Sequence, residues 1–193
     1  TAIPRRISNP AMTHDASGIG LYVHIPFCQR KCPYCAFYSV PVTGGHPKRL
    51  IHALPEEIAL YGDLPAVETL YIGGGSPTCL PAELLVGLAA RLRQMLGPAA
   101  EFTVECNPAQ VSRWLFEQLR AVGADRISIG AQSFQADALR TLGRFHGPGQ
   151  IVDAVAAARR AGFDNLGLDL IFGLPGSTLT SWAQRLEQAV TLD

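Results

Sequence analysis

Short apolar runs alternate along the chain with amphipathic stretches. The runs lie at residues 21–25, 69–72, 101–105, 126–129 and 166–172, and their length and composition are typical of buried parallel strands. Apolar residues spaced three and four apart predict helices over 84–96, 111–122, 151–158 and 179–190. Trp114 and Trp182 fall on the apolar faces of two of these helices, so we expect both rings in the core.

One further helix has a less regular pattern. Residues 47–60 show helical spacing, but Pro55 lies inside the stretch and should kink the helix or delay its start. The preceding residues, 41–47, are rich in proline and glycine and predict a loop.

Strand and helix thus alternate five times. This repeat predicts parallel strands joined by right-handed crossovers, as an open wound sheet or a barrel. A complete eightfold barrel needs roughly 250 residues, so a chain of 193 residues with five βα units does not close one. We therefore expect an α/β fold, a partial (βα) barrel whose last strand is exposed at its edge or covered by further sequence. The amphipathic pattern continues to the last residues and suggests a longer parent protein.

Composition narrows the class of protein. With 48% hydrophobic and 17% charged residues, the chain fits one globular domain with a substantial core. Sixteen Lys and Arg balance sixteen Asp and Glu, so no overall positive field attracts nucleic acid or an anionic membrane. The first twenty residues contain no apolar run, and neither a secretory signal nor a membrane span is visible. We predict a cytoplasmic protein.

Three of the five cysteines fall within eight residues. Cys28, Cys32 and Cys35 place three thiols on one short loop, which suits a reduced metal-binding set better than a disulfide framework. Iron–sulfur clusters are held by cysteines at spacings of this order, and three ligands would leave one iron open. A structural zinc site or a fully ligated ferredoxin-like centre would need a fourth ligand, and spacing alone does not decide between them. The nearby candidates for a fourth ligand are His24, Cys79 and Cys106.

Other polar residues follow the predicted strands. In α/β folds of this kind, ligands gather beyond the carboxyl ends of the strands. Glu105 and Asp169 stand in apolar strand contexts, so each must pair with a neighbour or face a ligand. The glycine run 73–75 allows close backbone approach, but a plain structural turn explains it equally well. Gln132 and Arg144 are weak candidates by themselves.

Several candidates also have simple structural explanations. We expect His24 to be a strand residue with its hydrogen bonds satisfied and His146 to be a loop residue, neither of them a metal ligand. Cys79 and Cys106 should pack as small apolar groups, with Cys79 retained as a possible fourth thiolate. Tyr34 either shields a bound cluster or is an ordinary core aromatic.

Together, these motifs resemble the radical S-adenosylmethionine superfamily. The sequence LYVHIPFC at 21–28, continuing into KCPYC at 31–35, closely resembles the cluster loop of this superfamily. Four further segments support the resemblance: GGGSP at 73–77, ECNP at 105–108, GAQSF at 130–134 and DLIFGLP at 169–175. It runs from residue 20 to the end. We therefore expect an N-terminal extension over 1–19 and, over 20–193, a radical-SAM core incomplete at its C-terminus, with five of six expected βα units.

The resemblance implies a cofactor site. The three cysteines would hold a [4Fe–4S] cluster, with S-adenosylmethionine chelating the open iron. An electron from the cluster would cleave the sulfonium to give a radical that abstracts hydrogen. Gly74, Gly75 and Ser76 would meet the methionine end of the cofactor, and Arg144 a carboxylate. The residues implied at the ribose or adenine are Glu105, Gln132 and Asp169. Those implied to border the cofactor and cluster are Tyr22 and Tyr34.

Within the superfamily, the chain is similar to the branch that contains the oxygen-independent coproporphyrinogen III oxidase and a haem chaperone family. The oxidase has a further cysteine where this chain has Phe37, and typically glutamine in place of His146. Both differences favour the chaperone family, which implies haem binding, transfer to an acceptor such as a respiratory enzyme, and an electron donor. Alternatives are the oxidase itself, acting on a porphyrinogen, and a non-catalytic zinc or ferredoxin-like module. Whether the chain is an enzyme stays open.

Overall fold

The computed structural model describes residues 18–43, 46–99 and 101–192. The predicted N-terminal extension lies outside these residues except for its last two positions. The strands are β1 (Ile19–Ile25), β2 (Phe27–Cys28), β3 (Val40–Pro41), β4 (Val67–Gly74), β5 (Glu101–Cys106), β6 (Arg126–Gln132) and β7 (Asn165–Leu170). The helices are α1 (Pro47–Leu60), α2 (Ala82–Leu96), α3 (Arg113–Ala121), α4 (Ala136–Thr141), α5 (Pro148–Arg160) and α6 (Leu179–Val190).

Five strands form one parallel sheet in the order β1-β4-β5-β6-β7. The strands are parallel and neighbouring strands follow the chain order. Each helix-containing connection therefore brings the chain back to the end of the sheet at which the next strand begins. The predicted α/β fold with five parallel strands is confirmed, and β7 lies at an edge of the sheet. The separate pair β2–β3 is also parallel and was not predicted.

The strand register aligns the carboxyl ends. Ile25 pairs with Gly74, Cys106 with Ile129, and Gln132 with Leu170. The loops that follow these strands therefore begin at one edge of the sheet, where ligands of such folds bind. The cysteine loop and the four further segments singled out in the sequence lie at this end of the sheet.

The main core lies between the sheet and its helices. Strand residues such as Ile72, Val104 and Ile127 are fully buried and pack with Leu85 and Phe116 from the helices. Nearly continuous apolar runs in the central strands are what a sheet covered by helices requires. Within the described residues, no helix combines the length and apolar character needed to cross a membrane.

Neither tryptophan is a core residue, so that prediction is wrong. Trp114 is 47% exposed, because α3 buries Leu115, Phe116 and Leu119 instead. The core-facing side of α3 includes Phe116, which the predicted pattern omitted, and this turns Trp114 outward. Trp182 is half-buried and packs near the surface against Phe172, with a ring-centre distance of 6.2 Å.

Helix α1 begins at Pro47 and continues through Pro55, so of the two predicted alternatives, a kink or a late start, the late start is wrong. Proline at the first helical position has no hydrogen bond to lose there, which favours the early start. Pro55 lacks an amide hydrogen and therefore removes one bond from the helix interior.

Arg185 is the least expected core residue. It is 1% exposed, and no carboxylate within the described ranges pairs with it. Its guanidinium instead donates to the carbonyls of Ile171 and Ser181 and to the hydroxyls of Ser177 and Ser181. Buried charges need such partners. Arg185 thereby ties the loop after β7 to helix α6.

His146 is a loop residue, as predicted, and it is buried. Its Nε2–H donates to the Ala131 carbonyl at 3.1 Å, while Nδ1 has no partner among the described residues. Burial, and secondarily the positive charge of Arg144, lowers the pKa of His146 from 6.5 to about 4. The folded protein therefore holds a neutral imidazole over a pH range in which the unfolded chain binds a proton.

This difference predicts a pH-dependent stability. Between pH 6.5 and about 4 the unfolded state takes up the proton first, so the free energy of unfolding should fall as pH falls. The contribution of His146 should be about 1.4 kcal/mol per pH unit within that window. Urea denaturation at several pH values should show a shallower fall for His146→Gln than for the wild type. His52→Gln, on the exposed face of α1, is the matched control. An equal fall in wild type and His146→Gln would contradict the assignment.

Candidate functional site

A cavity of about 460 Å³ opens at the carboxyl ends of the strands. Ligand pockets in proteins are commonly of this size. The cavity receives residues from the ends of β4, β5, β6 and β7 and from the loop between β2 and β3. The predicted site residues that line it are Cys28, Cys32, Tyr34, Cys35, Gly74, Gly75, Ser76, Glu105, Gln132, Arg144 and Asp169.

Tyr22 is the predicted site residue that does not line the cavity. It is 51% exposed, and its ring packs 5.8 Å from the ring of Tyr71, which does line the cavity. The Tyr22 hydroxyl is 3.1 Å from Nδ1 of His24. Tyr22 thus packs beside a residue of the cavity wall, and its predicted contact with a cofactor stays a prediction.

The cysteine loop is held at its base by β2 and β3. Val40 donates its backbone N–H to the Pro26 carbonyl at 2.7 Å, and Val42 donates to the Cys28 carbonyl at 2.9 Å. Within the loop, the Cys35 N–H donates to the Cys32 carbonyl at 3.0 Å and forms a turn. All three thiols therefore face one cavity from a loop with fixed ends.

The three cysteines lie around one cavity. In the described part of the chain, no three His, Cys, Asp or Glu side chains converge as one metal ion requires. A tetrahedral zinc ion needs every ligand at bonding distance from one point. Each cysteine thiolate that holds a cubane cluster binds a different iron, so the cysteine sulfurs lie further apart than the ligands of a single ion. The donor set, three thiols on one cavity wall, fits a cluster.

The glycine run fits closely against the cysteine loop. Gly75 donates its N–H to the Ile25 carbonyl, and Ser76 donates to the Phe27 carbonyl, each at 2.8 Å. A Cβ at Gly75 would lie 2.6 Å from the Phe27 oxygen and 2.9 Å from the Cys28 sulfur. Glycine is therefore needed here for contact between protein segments, in addition to any role toward a ligand.

Glu105 is fixed by two hydrogen bonds. The Tyr71 hydroxyl donates to Oε1 at 2.7 Å, and the Gly74 N–H donates to Oε2 at 3.0 Å. A Cβ at Gly73 would lie 2.8 Å from Cδ of Glu105, so this glycine makes room for the carboxylate. Burial, and secondarily the bond to Glu105, raises the pKa of Tyr71 and keeps the phenol a donor. Glu105 is both paired and exposed to the cavity, and it does not cap the following helical turn, a role that Asn107 takes.

Gln132 ends β6 in a strained conformation. Its φ of 66° is in the left-handed region, and it is the one residue other than glycine with a positive φ among those described. The sheet register shifts between Ile129 and Gln132. The Gln132 carbonyl accepts from the N–H of Ile171, which holds the bent strand end. Such backbone strain is typical of functional sites.

Arg144 brings a positive charge to the cavity. Its Nη2 donates to the Gly130 carbonyl at 2.8 Å, and Nη1 lies 3.9 Å from the Cys32 sulfur. Its Nε is buried and has no hydrogen-bond partner among the described residues. No carboxylate in these residues forms an ion pair with it. The guanidinium therefore has donor capacity for an anionic ligand.

Asp169 lies on β7 at the far side of the cavity. Both carboxylate oxygens are 3.3 Å from the Ser128 hydroxyl, which donates to them. The carboxylate reaches solvent on one side, and partial burial on the other raises its pKa. Asp169 has a protein partner and still faces the cavity.

The three candidates for a fourth ligand are hydrogen-bonded or partly to fully buried in the protein. His24 is a strand residue with its hydrogen bonds satisfied, as predicted, since Nε2 bonds to the Tyr38 carbonyl and Nδ1 to the Tyr22 hydroxyl. Cys106 is buried in the core, and burial raises its pKa. Cys79 lies outside the cavity wall, and burial raises its pKa to about 12.

Sequence reasoning missed several residues of the cavity. Tyr71 was read only as part of a strand, although its hydroxyl orients Glu105. Gln110 accepts from the Ser76 hydroxyl at 2.7 Å and so ties the glycine loop to the segment after β5. The remaining lining residues that were not predicted include Arg30, Lys31 and Phe145. An aromatic hydroxyl two residues before the glycine run was the available signal for Tyr71.

Comparison with known proteins shows the family to which the chain belongs. The model of the Radical SAM superfamily matches residues 22–189. The chain is 40% identical over 184 residues to the heme chaperone HemW of Escherichia coli, covering 91% of this chain and 48% of that protein. It is 37% identical over 179 residues to HemW of Bacillus subtilis, covering 89% and 47%. The chain spans about half the length of the curated relatives it matches.

The fold is also similar to a solved structure. The coproporphyrinogen III oxidase HemN of Escherichia coli, described as a radical SAM enzyme, superimposes with a TM-score of 0.81 at 32% identity. The match covers 91% of this chain and 42% of that one.

The thiol environments predict an order of chemical reactivity. In the cluster-free chain at pH 8, iodoacetamide should modify Cys28 and Cys35, which open onto the cavity, well before Cys79 and Cys106. Mass spectrometry of timed samples measures the order, and the same chain in urea is the control in which the differences should vanish. Modification of Cys79 as fast as Cys28 would show that Cys79 is an available thiolate after all.

Proposed function

The chain belongs to the Radical SAM superfamily, and from that membership we propose that it is the cofactor-binding core of a haem chaperone. In this role it binds a [4Fe–4S] cluster, S-adenosylmethionine and haem. The parent protein then transfers haem to an acceptor protein such as a respiratory enzyme, with an electron donor reducing the cluster.

One observation carries the proposal. Three cysteine thiols, a fixed carboxylate at Glu105 and the incompletely bonded guanidinium of Arg144 meet in a single cavity at the carboxyl edge of the sheet. This combination suits a cluster with an open iron and a zwitterionic ligand beside it. Zinc sites and ferredoxin-like centres need a fourth protein ligand instead.

Each residue then has a defined task. Cys28, Cys32 and Cys35 hold the cluster. Arg144 donates to the carboxylate of S-adenosylmethionine from the terminal N–H groups of its guanidinium, and the backbone of the glycine loop lies against the methionine end. Glu105, Gln132 and Asp169 accept hydrogen bonds from the ribose or adenine. Tyr34 covers the cluster side of the cavity. When bound, the cluster and S-adenosylmethionine supply one-electron chemistry at this edge.

The preference for a chaperone rests on sequence. The position occupied by a further cysteine in the oxidase is Phe37 here, and Phe37 lines the cavity. The two HemW proteins are 40% and 37% identical to this chain, against 32% for HemN. HemW is described as a heme chaperone.

Coproporphyrinogen oxidation is the second candidate. The TM-score of 0.81 to HemN favours it, because the cofactor cavity sits on the same fold. On this alternative the chain would position a porphyrinogen propionate for hydrogen abstraction, and the parent protein would be an enzyme.

An anaerobic assay on the full-length parent protein separates the two candidates. We expect the reconstituted protein to transfer haem to an apo-acceptor. With S-adenosylmethionine, a reductant and coproporphyrinogen III, it should form no protoporphyrinogen above a Cys28→Ala control. Product well above that control, detected by chromatography, would make the protein an oxidase and overturn the chaperone proposal.

The hydrogen bond from Tyr71 gives a prediction for cofactor affinity. Tyr71→Phe keeps the ring but leaves Oε1 of Glu105 without its donor. Binding of S-adenosylmethionine should weaken roughly threefold to tenfold, as expected for one hydrogen bond of about 1 kcal/mol. Equilibrium dialysis measures the affinity, and iron and sulfide content should stay at the wild-type level. Tyr61→Phe, in an exposed tyrosine after α1, is the matched control. An unchanged affinity for S-adenosylmethionine in Tyr71→Phe would show that the hydrogen bond from Tyr71 to Glu105 does not contribute to cofactor binding.

A further inference from the structure

Three aromatic rings lie at the mouth of the cavity and face solvent. All three line the cavity: Tyr34 is 42% exposed, Phe37 64% and Phe145 37%. We call these three residues the aromatic rim. Single exposed hydrophobic residues are common, but a group around one cavity marks a binding surface.

Two cations lie beside the aromatic rim. Arg30 and Lys31 are exposed and line the same cavity. Each of the three ion pairs in the described residues involves other side chains, so neither cation has a carboxylate partner there. The Lys31 ammonium donates to the Phe37 carbonyl at 3.3 Å, which holds it next to the aromatic rim.

The acidic residues of the cavity lie elsewhere. Glu105 and Asp169 are at the strand ends, and each already bonds to protein donors. The cavity therefore has its acids at the sheet edge and two unpaired cations, Arg30 and Lys31, on the cysteine loop. A ligand at the mouth that carries negative charge meets Arg30 and Lys31 without facing these acids first.

The two features together define the chemistry of a ligand. Aromatic faces favour a flat apolar ring system, and a pair of unpaired cations favours carboxylates at the edge of that system. Single-stranded nucleic acid also combines rings with anions. The formal net charge of zero provides none of the overall positive field that such a partner requires.

We propose that the aromatic rim, with Arg30 and Lys31, is the docking surface for a tetrapyrrole that carries propionate groups. The face of the macrocycle packs on Phe37 and Phe145, and the propionates meet Arg30 and Lys31. This inference rests on the proposed function, because haem is the tetrapyrrole of that function. It adds a location, the mouth of the cavity beside the cysteine loop.

The test uses the full-length parent protein with its cluster reconstituted. Haem binding is followed by anaerobic absorbance titration of wild type, Phe37→Ala and Phe145→Ala. Each truncation should weaken haem binding roughly fivefold to tenfold. Tyr61→Ala is the matched control, since Tyr61 is 68% exposed and lies outside the cavity. Iron and sulfide content shows whether a variant keeps its cluster. Because Phe145 lies outside the cysteine loop, its variant keeps the test valid if Phe37→Ala loses the cluster.

A second ligand tests the cations. The double variant Arg30→Gln, Lys31→Gln should weaken haem binding at least tenfold, and it should bind haem dimethyl ester as the wild type does. The control is Arg91→Gln, an exposed arginine on α2. Equal losses for haem and its ester would overturn the role given to the propionates.

The outcomes separate the two levels of inference. If wild type binds haem and neither the aromatic nor the cation variants change the affinity, the docking surface is wrong and the chaperone proposal stands. If wild type does not bind haem at all, both proposals fail. Weaker binding in Phe37→Ala and Phe145→Ala, with Tyr61→Ala unchanged, supports the docking surface.

Discussion

The close approach of the glycine run to the end of β1 is the contact on which the site depends. Gly75 and Ser76 donate to the carbonyls of Ile25 and Phe27, and no side chain fits between these segments. The contact fixes the start of the cysteine loop relative to β4. It also places the Gly74 N–H where it bonds to Glu105. A side chain at these glycines would separate the thiols from the carboxylate that faces them across the cavity.

Charge is distributed unevenly around that contact. The acids are held by neutral donors, namely Tyr71, the Gly74 N–H and Ser128. Arg144 reaches the Cys32 sulfur and a backbone carbonyl and keeps a buried, unbonded Nε. Buried donors without partners are rare in proteins. The guanidinium lines the cavity, and its terminal N–H groups are the donors that a carboxylate of a ligand would meet.

Much of this arrangement could be predicted from the sequence because parallel strands align their carboxyl ends. Once the apolar runs were identified, the polar residues after them had to share one edge. Residues whose roles depend on packing could not be placed in this way. Trp114 fits a helical pattern, yet the core-facing side of α3 is set by Phe116. Arg185 lies on α6, and the loop after β7 supplies the Ile171 carbonyl and the Ser177 hydroxyl that accept from it in the core. Tyr71 needed the register between β4 and β5 before its hydroxyl could be related to Glu105.

The central claim is that three cysteines hold a cluster with one iron left for S-adenosylmethionine. The most direct measurement is the EPR spectrum of the reduced cluster, recorded with and without S-adenosylmethionine in the full-length parent protein. Coordination of the cofactor to the open iron predicts a clear change in the signal on addition. A spectrum that stays the same at saturating S-adenosylmethionine would contradict the claim and favour a fully ligated centre.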